Sequence, residues 1–488
     1  MPDSQPQEPA QPDRDAPPPP SPPGPPGPSG PPDPPGSPGP PGGPSGTAPG
    51  APPEGAPPRA PAALVLRGAR LADGRTVDVR IGGGRIEAVG TAGSLSSPAP
   101  PWATRIDLTG YLLLPAPAEP HAHYDTALTA DGDVPGACGA SPYGPRDPYD
   151  PERVQRRAAE AALLQLGHGA TAVRTHVRVG DVAGLRALRA VLRARSALHG
   201  LADLTAVAVP RLLTGAAGAD GLAMLREAVD MGATAVGGCP DLDPDPAGYT
   251  ETVLAVAAEH GCAVDLHTDG SDPVRLSRLA SVAGGLRPRV AIGPCDGLAR
   301  LPRETAARAA ESLAAAGITV VCLPQGGCGL PPRTADGPHA APVRLLRAAG
   351  VRVAAGSGAL RDTANPVGRG DPLEAAYLLA SHGQAGPEEA YEAVSARARE
   401  AMGLPRVRIE AGFPAELLAV RGRTLAGTLS LSYSRLVVHR GRVVARTSAV
   451  REYCDATDPG GPADTVAPVA PEPGGPAAEL GLPRQSQR

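Results

Sequence analysis

The chain has 488 residues, of which 63 are proline and 62 are glycine, and only 2% are aromatic. Its formal net charge of −4 provides no basic field for nucleic acid, and no apolar run approaches the ~20 residues that cross a bilayer. Neither a nucleic acid nor a membrane is therefore an expected partner. The N-terminus has no basic segment followed by an apolar core, which argues against a secretory signal and favours a cytoplasmic location.

Lysine is absent, since all 46 basic residues are arginine. Its absence excludes a Walker A phosphate loop, Schiff-base chemistry and a carbamylated-lysine metal bridge. The seven cysteines form no CxxC pair, which argues against a disulfide framework or a structural zinc site. A buried, inert thiol is the favoured interpretation for most of them. A metal link through Cys322 and Cys328, which flank a Pro-Gln-Gly-Gly turn, is the alternative.

The first segment, residues 1–61, consists almost entirely of proline, glycine, serine, alanine and aspartate, and is predicted to be a disordered arm. Proline-rich chains form semi-rigid polyproline II segments, which are bound by dedicated recognition domains. The arm could bind such a domain or merely keep the chain soluble.

Short β-strands are predicted on both sides of the central region. The segment Ala62–Leu71 alternates as a strand does, and the other strand candidates are Thr76–Ile81, Arg85–Val89, Glu416–Gly422 and Arg435–Ala445. Residues 62–114 and 405–450 are therefore predicted to be two parts of one small β-sandwich. The tail, residues 451–488, returns to proline, glycine and alanine and is predicted to be disordered.

The region between these flanks, residues 115–404, alternates apolar runs with amphipathic stretches. The strand candidates are Tyr111–Pro115, Ala170–Val177, Leu204–Pro210, Ala233–Cys239, Cys262–His267, Arg289–Ile292, Ile318–Leu323 and Val351–Ala355. Helical periodicity occupies the stretches between them, such as Glu152–Leu166, Val182–Leu198, Leu222–Met231 and Arg303–Ala316. Eight strand-then-helix units predict an α/β fold with a parallel (β/α)8 barrel, whose chemistry lies at the carboxyl ends of the strands.

Histidines follow two of these predicted strands. The first strand leads into Glu119-Pro-His-Ala-His-Tyr-Asp125, where His121 and His123 at i and i+2 of an extended segment point to one side. The fifth strand ends in Asp265-Leu-His-Thr-Asp269, which adds His267. Three neutral imidazoles with an open fourth position form a catalytic type of metal site. The sequence therefore predicts metal ligation by His121, His123 and His267.

Two further predicted strands end in polar residues at the same end of the barrel. The second strand ends with Arg174 and His176 on one face, and Arg211 follows the third strand. His176 is interpreted either as a buried core residue or as a substrate contact. Arg211 is either simply solvated or a second substrate contact.

These motifs resemble the cytosine deaminase branch of the amidohydrolase superfamily. The similar segments are Pro120–Asp125, Val173–Val177, Asp265–Asp269, Asn365–Leu373 and Gly412–Leu417, and the resemblance covers roughly residues 62–450. It implies one divalent metal ion, zinc or iron, which activates water for attack on a ring carbon bearing an exocyclic amine. It also implies a small heterocyclic substrate and a homo-oligomer.

The resemblance carries over to some positions only. His121, His123 and His267 match the three histidine ligands of the branch. The glutamate that protonates the ring nitrogen corresponds to Gly270, the histidine after strand six to Pro294 or its neighbour, and the aspartate after strand eight to Gly358. The glutamine that reads the pyrimidine edge corresponds to Arg211. The predicted metal ligands are therefore present, whereas the residues that move protons are replaced.

Two kinds of function follow. The first is a divergent hydrolase of carbon–nitrogen bonds other than peptide bonds, in cyclic amidines or amino-heterocycles, with altered or impaired activity. Asp269 and Asp362 are the candidate replacement carboxylates. The second is a catalytically silent pseudoenzyme that binds a ligand or a protein.

Overall fold

The computed structural model describes residues 63–95, 103–130, 150–180, 184–284, 290–327 and 340–449. The predicted N-terminal arm and C-terminal tail lie outside these residues. The strands of the N-terminal flank are β1 Leu64–Arg70, β2 Thr76–Gly82, β3 Arg85–Thr91, β4 Thr104–Asp107 and β5 Tyr111–Pro115. The strands of the central region are β6 Ala118–Ala122, β7 Ala172–Val179, β8 Asp203–Pro210, β9 Ala235–Gly238, β10 Ala263–Thr268, β11 Val290–Pro294, β12 Thr319–Cys322 and β13 Arg352–Ala355. The strands of the C-terminal flank are β14 Leu417–Arg421, β15 Arg435–His439 and β16 Arg442–Thr447.

The helices fill the intervals between the central strands and continue to the C-terminal flank. They are α1 Pro151–Gly167, α2 Arg186–Ala197, α3 Gly218–Asp230, α4 Pro246–His260, α5 Pro273–Ala283, α6 Arg303–Ala316, α7 Val343–Ala348, α8 Pro372–Ser381, α9 Pro387–Val394, α10 Ala396–Ala401 and α11 Leu425–Leu431. Four of them, α1, α4, α5 and α8, begin with proline after an aspartate whose carboxylate accepts backbone N–H groups of the first turn. The Asp-Pro pair satisfies exposed donors and presets the helical φ, so the sequence itself marks these starts.

The two flanks build one eight-stranded sheet. Its order is β16-β15-β14-β5-β1-β2-β3, with β4 beside β1, so β5 and β14 join the flanks across about 300 residues of chain. Alternate residues face two different cores: Leu113 and Leu417 belong to a cluster inside the sheet, whereas Leu112 and Leu418 pack into the core of the central region. The sheet therefore depends on both flanks.

We predict that limited proteolysis will remove roughly the first 60 residues and leave one stable product over residues 62–450. The reason is that β5 and β14 share five residue pairs, so a cut near residue 110 or 405 divides the sheet. Mass spectrometry of the protected fragment measures this outcome. Stable fragments that separate after a cut at either position would contradict a shared domain.

The central strands form a nearly closed barrel of eight parallel strands, in the order β13-β12-β11-β10-β9-β8-β7-β6. A single parallel bridge between Ala122 and Gly358 links the first and last strands. The buried carboxylate of Glu119 adds to this closure, since it accepts hydrogen bonds from the backbone N–H and the hydroxyl of Ser357. The predicted α/β fold, a (β/α)8 barrel with a separate sheet, is confirmed.

One strand assignment was wrong. Tyr111–Pro115 was expected to begin the barrel, but it pairs with β14 and β1 in the small sheet. The first barrel strand is β6, Ala118–Ala122, whose residues are all buried. Glutamate, proline and histidine are unusual in a central strand, so the pattern there does not mark a barrel strand. By contrast, α6 occupies the predicted range Arg303–Ala316.

Within the described part of the chain, no helix has both the length and the apolar character that crossing a bilayer requires.

Candidate metal centre

Four buried histidines converge at the carboxyl ends of barrel strands. His121 and His123 come from β6 and the residue after it, His176 from β7 and His267 from β10. The Nε2 atom of His123 lies 3.3 Å from Nε2 of His121 and 3.2 Å from Nε2 of His267. Nitrogens bound to a tetrahedral zinc ion at about 2.0–2.1 Å lie about 3.3–3.4 Å apart. Both distances measured from His123 therefore fit a shared metal ion.

The environment keeps these imidazoles neutral. Burial lowers the pKa of His121 and His123 well below the ordinary value, and neighbouring histidines lower them further. Burial and the adjacent His267 and Arg174 do the same to the pKa of His176, and burial lowers the pKa of His267 to about 4. Because only a neutral imidazole has a lone pair for a cation, the cluster is prepared for metal binding.

A buried polar network supports the first histidine. Glu119 Oε1 accepts the backbone N–H of His121 at 2.9 Å, while Oε2 accepts the backbone N–H of Ser357 at 2.8 Å. Gln165 Nε2 donates to the Ser357 hydroxyl at 3.0 Å, and its Oε1 accepts the hydroxyl of Tyr124 at 2.5 Å. Burial raises the pKa of Glu119 to about 7, against the hydrogen bonds from Ser357 and His121. The network fixes the backbone that carries His121.

A buried ion pair lies beneath the cluster. Arg174 Nη1 donates to Asp265 Oδ2 at 3.1 Å, and both side chains are almost fully buried. The second carboxylate oxygen, Oδ1, lies 3.4 Å from Nε2 of His176. A carboxylate beside a histidine orients the ring and makes it a better ligand. Asp125, two residues after His123, forms a second ion pair, in which its Oδ2 accepts the Nε–H of Arg178 at 2.9 Å.

The positions that correspond to the proton-moving residues carry no such groups. Gly270 follows β10, Pro294 ends β11 and Gly358 bridges Ala122 within the histidine segment. Gly270 and Gly358 have φ angles of +71° and +72°. These values lie in the left-handed region, which residues other than glycine rarely adopt. A Cβ atom on Gly358 would lie 3.2 Å from Cδ1 of Leu323. The backbone has therefore adapted to glycine at both positions.

The two candidate replacement carboxylates are engaged elsewhere. Asp269 binds Arg300 through Oδ2 at 2.9 Å and the Ser271 hydroxyl through Oδ1 at 2.7 Å. Asp362 is buried, and it accepts the Thr126 hydroxyl at 2.9 Å and the backbone N–H of Ala364 at 2.8 Å. Their catalytic role stays a prediction.

The remaining predicted site residues differ in exposure, and one of them lies outside the described residues. Arg211 is exposed directly after β8, and its substrate contact stays a prediction. The thiol of Cys322 is buried at the end of β12 and contacts the Ala354 carbonyl oxygen at 3.3 Å. Cys328 lies outside the described residues, so the alternative metal link cannot be placed.

Reasoning from the sequence missed the buried acidic residues around the cluster. Glu119, His121, His123 and Asp125 occupy alternate positions and are all buried, as are Asp265 and His267 on β10. The signal was available as polar residues at every second position of a strand, which points them into the barrel. An inward-facing, buried carboxylate next to histidine indicates a ligand-orienting role.

Histidines clustered at the carboxyl ends of the strands of a (β/α)8 barrel are typical of barrel enzymes with a catalytic metal site. The chain belongs to the amidohydrolase family, whose profile matches residues 137–445. This confirms the deaminase-like amidohydrolase resemblance and, at the level of the family, a hydrolase of carbon–nitrogen bonds. The family is metal-dependent.

The similarity to known proteins extends over most of the chain. A pterin deaminase of Rhizobium rhizogenes is 27% identical over 394 residues, which are 76% of this chain and 88% of the relative. The crystal structure of N-isopropylammelide isopropylaminohydrolase from Burkholderia multivorans is 28% identical with a TM-score of 0.68, covering 80% of this chain and 100% of that one. The 5-methylcytosine deaminase of Klebsiella pneumoniae, at 22% identity, has the same fold, with a TM-score of 0.67 and coverages of 80% and 99%.

Proposed function

We propose that this protein is a metal-dependent hydrolase that removes an exocyclic amine from a nitrogen heterocycle, with low turnover. The observation that carries the proposal is the convergence of Nε2 of His123 with Nε2 of His121 and His267, at 3.2–3.3 Å, inside an amidohydrolase barrel. The metal would be a zinc or iron ion held by these three residues. When bound, it would supply a Lewis acid and an activated water nucleophile.

The substrate class is inferred from relatives and from the mouth of the barrel. The names of the relatives indicate pterin and ammelide derivatives, both amino- or amide-bearing nitrogen heterocycles. Cytosine is the substrate that the sequence motifs favour. His176 and Arg211 are proposed contacts to the polar edge of the ring, and the arginine would favour an anionic substrate.

The low turnover is inferred from the three positions that correspond to proton-moving residues of the resembling branch. Protonating a ring nitrogen and accepting a proton from water each need a group poised near neutral pH. Gly270, Pro294 and Gly358 provide none. The same observation supports the second candidate function, a catalytically silent barrel that holds a metal and a ligand. A homo-oligomer and an arm that binds a polyproline-recognising domain are further parts of the proposal.

Replacing His121, His123 and His267 together by alanine should lower the metal content from about one ion per chain to nearly none. The measurement is elemental analysis after dialysis in metal-free buffer, with ammonia release from cytosine and a pterin assayed on the same samples. His199→Ala removes an exposed histidine outside the cluster and should leave the metal content unchanged. A full metal content in the triple variant would reject the proposed site, and metal-replete protein without any turnover would favour the silent barrel.

A further inference from the structure

His176 lies as close to the other three histidines as they lie to one another. Its ring centroid is 4.1 Å from that of His121, 4.6 Å from His267 and 5.3 Å from His123. The three proposed ligands are separated by 4.7–5.2 Å in the same measure. One ligand nitrogen from each of the four rings lies within 4.8 Å of all the others. His176 is therefore part of the cluster and not merely a neighbour of it.

The ring nitrogens of His176 lack a well-formed hydrogen bond. Its side chain is fully buried, and neither Nδ1 nor Nε2 makes a hydrogen bond of good geometry, the polar neighbours of the ring being Asp265 Oδ1 and the backbone of Ala122. Asp265 Oδ1, 3.4 Å from Nε2, is likewise without one. Buried polar atoms are rarely left unsatisfied in proteins, so each such atom indicates a missing ligand or water. Here the missing group lies next to His123, whose Nε2 already has the spacing of metal ligands from Nε2 of His121 and of His267.

The coordination set of this chain has room for a further ligand. Gly358, where the resembling branch has a metal-binding aspartate, adds no donor atom, so His121, His123 and His267 leave a four-coordinate ion one ligand short. We infer that His176 supplies this fourth protein ligand, so that the resting site is a closed set of four imidazoles. One nitrogen of each ring lies within 4.8 Å of the others, and tetrahedral zinc would draw its four ligand nitrogens to about 3.3–3.4 Å from one another.

The surroundings suit this role. Asp265 would accept the second ring N–H of His176, and Arg174 holds that carboxylate in place at 3.1 Å. A carboxylate–histidine pair of this kind fixes the ring and strengthens its binding to a metal. The buried charge of Asp265 also offsets part of the charge of a divalent ion that four neutral ligands leave uncompensated. Both features come from residues on β7 and β10 that face the barrel interior.

A closed set changes what the site does. Structural zinc sites use four protein ligands, whereas catalytic sites keep one position for water or substrate. With His176 bound, water or substrate enters only by displacing it or as a fifth ligand, and the substrate contact proposed above is open to His176 only after it has been displaced from the metal. This inference rests on the metal-dependent hydrolase proposed above, and it adds a second cause of low turnover that is independent of the missing proton-moving residues.

The test is X-ray absorption on the zinc-loaded full-length protein, because outer-shell scattering from imidazole rings counts the histidine ligands. We expect four imidazoles in the unmodified protein, and three plus a water in His176→Asn. The zinc dissociation constant of the variant should rise by at least about 10-fold. Since the unmodified protein gives the ligand count directly, the test does not depend on the variant folding well.

A matched control is His439→Asn, which also removes a buried histidine next to a carboxylate, that of Glu416 at 2.8 Å, but outside the cluster. It should leave the ligand count and the zinc affinity unchanged. Three imidazoles in the unmodified protein, or no zinc binding, would overturn the inference. Four imidazoles without any turnover would support it while rejecting the hydrolase function, and three imidazoles with turnover would do the reverse.

Discussion

The unmodified, metal-loaded protein should deaminate cytosine at least about 10³-fold more slowly than an intact site would, because the general acid and the general base are both absent and each typically contributes about 10²–10⁴-fold. Gly270 and Gly358 occupy their positions. The measurement is kcat/KM for ammonia release at saturating zinc. Rapid deamination would show that another carboxylate serves, and Asp125, Asp269 and Asp362 would be the first to replace by alanine.

Restoring both groups with Gly270→Glu and Gly358→Asp should raise the residual rate by about 10²-fold or more, whereas either change alone should help little, since both act in one cycle. The structure limits the gain. Both glycines have positive φ angles, so each new side chain costs about 1–2 kcal/mol of backbone strain. Aspartate tolerates this conformation better than glutamate does.

The matched control for this restoration is the pair Gly270→Gln and Gly358→Asn. It introduces the same strain and nearly the same volume without a titratable group. An equal gain in rate from the amide pair would show that the carboxyl groups are not responsible. If the acidic pair gives no gain in rate and zinc is retained, the coordination of the metal, and not the missing carboxyl groups, would limit the rate.

Arg435→Met should lower the free energy of unfolding by about 3–5 kcal/mol, because it leaves a buried carboxylate without its partner. Arg435, on β15, binds both oxygens of Asp371 at 2.8 and 2.6 Å and donates to the His168 carbonyl oxygen at 2.6 Å. Asp371 also caps α8 through the backbone N–H of Leu373. One guanidinium thus joins the small sheet to two helix ends of the barrel.

Urea unfolding measures this effect, and two variants control it. Adding Asp371→Asn, which keeps an N-cap side chain but removes the charge, should recover part of the loss. Arg440→Met breaks the pair with Asp203, where the arginine side chain is 56% exposed, and should cost at most about 1 kcal/mol. A loss below about 1 kcal/mol for Arg435→Met would show that the sheet and the barrel do not depend on this contact.

Much of the architecture could be predicted from local patterns. The bounds of α6 follow from apolar spacing between Pro302 and Gly317, and the starts of four helices follow from Asp-Pro pairs. The spacing of His121 and His123 on an extended segment placed both rings on one side. These are local signals, because the determining residues lie within one turn or two residues of one another.

Other features required contacts that no local pattern contains. β6 is not among the predicted barrel strands, because the sequence pattern favours Tyr111–Pro115 as the first one and an extended segment after it. The neighbouring strands and the Glu119–Ser357 hydrogen bonds, 238 residues apart, bury β6. The membership of His176 in the cluster likewise depends on how β7 lies beside β6. The sequence places Arg174 and His176 on one face but does not say what that face meets.

The sequence by itself determined the barrel, the sheet shared by both flanks, the three histidines and the absence of proton-moving groups at residues 270, 294 and 358. Periodicity, capping and residue identity are properties of short stretches, so they can be read without the fold. Only the tertiary structure decided that a fourth histidine joins the cluster, that Asp269 binds Arg300 and that Gly270 and Gly358 have left-handed backbones. These depend on the distances between strands far apart in the chain, which are set by packing of the whole barrel.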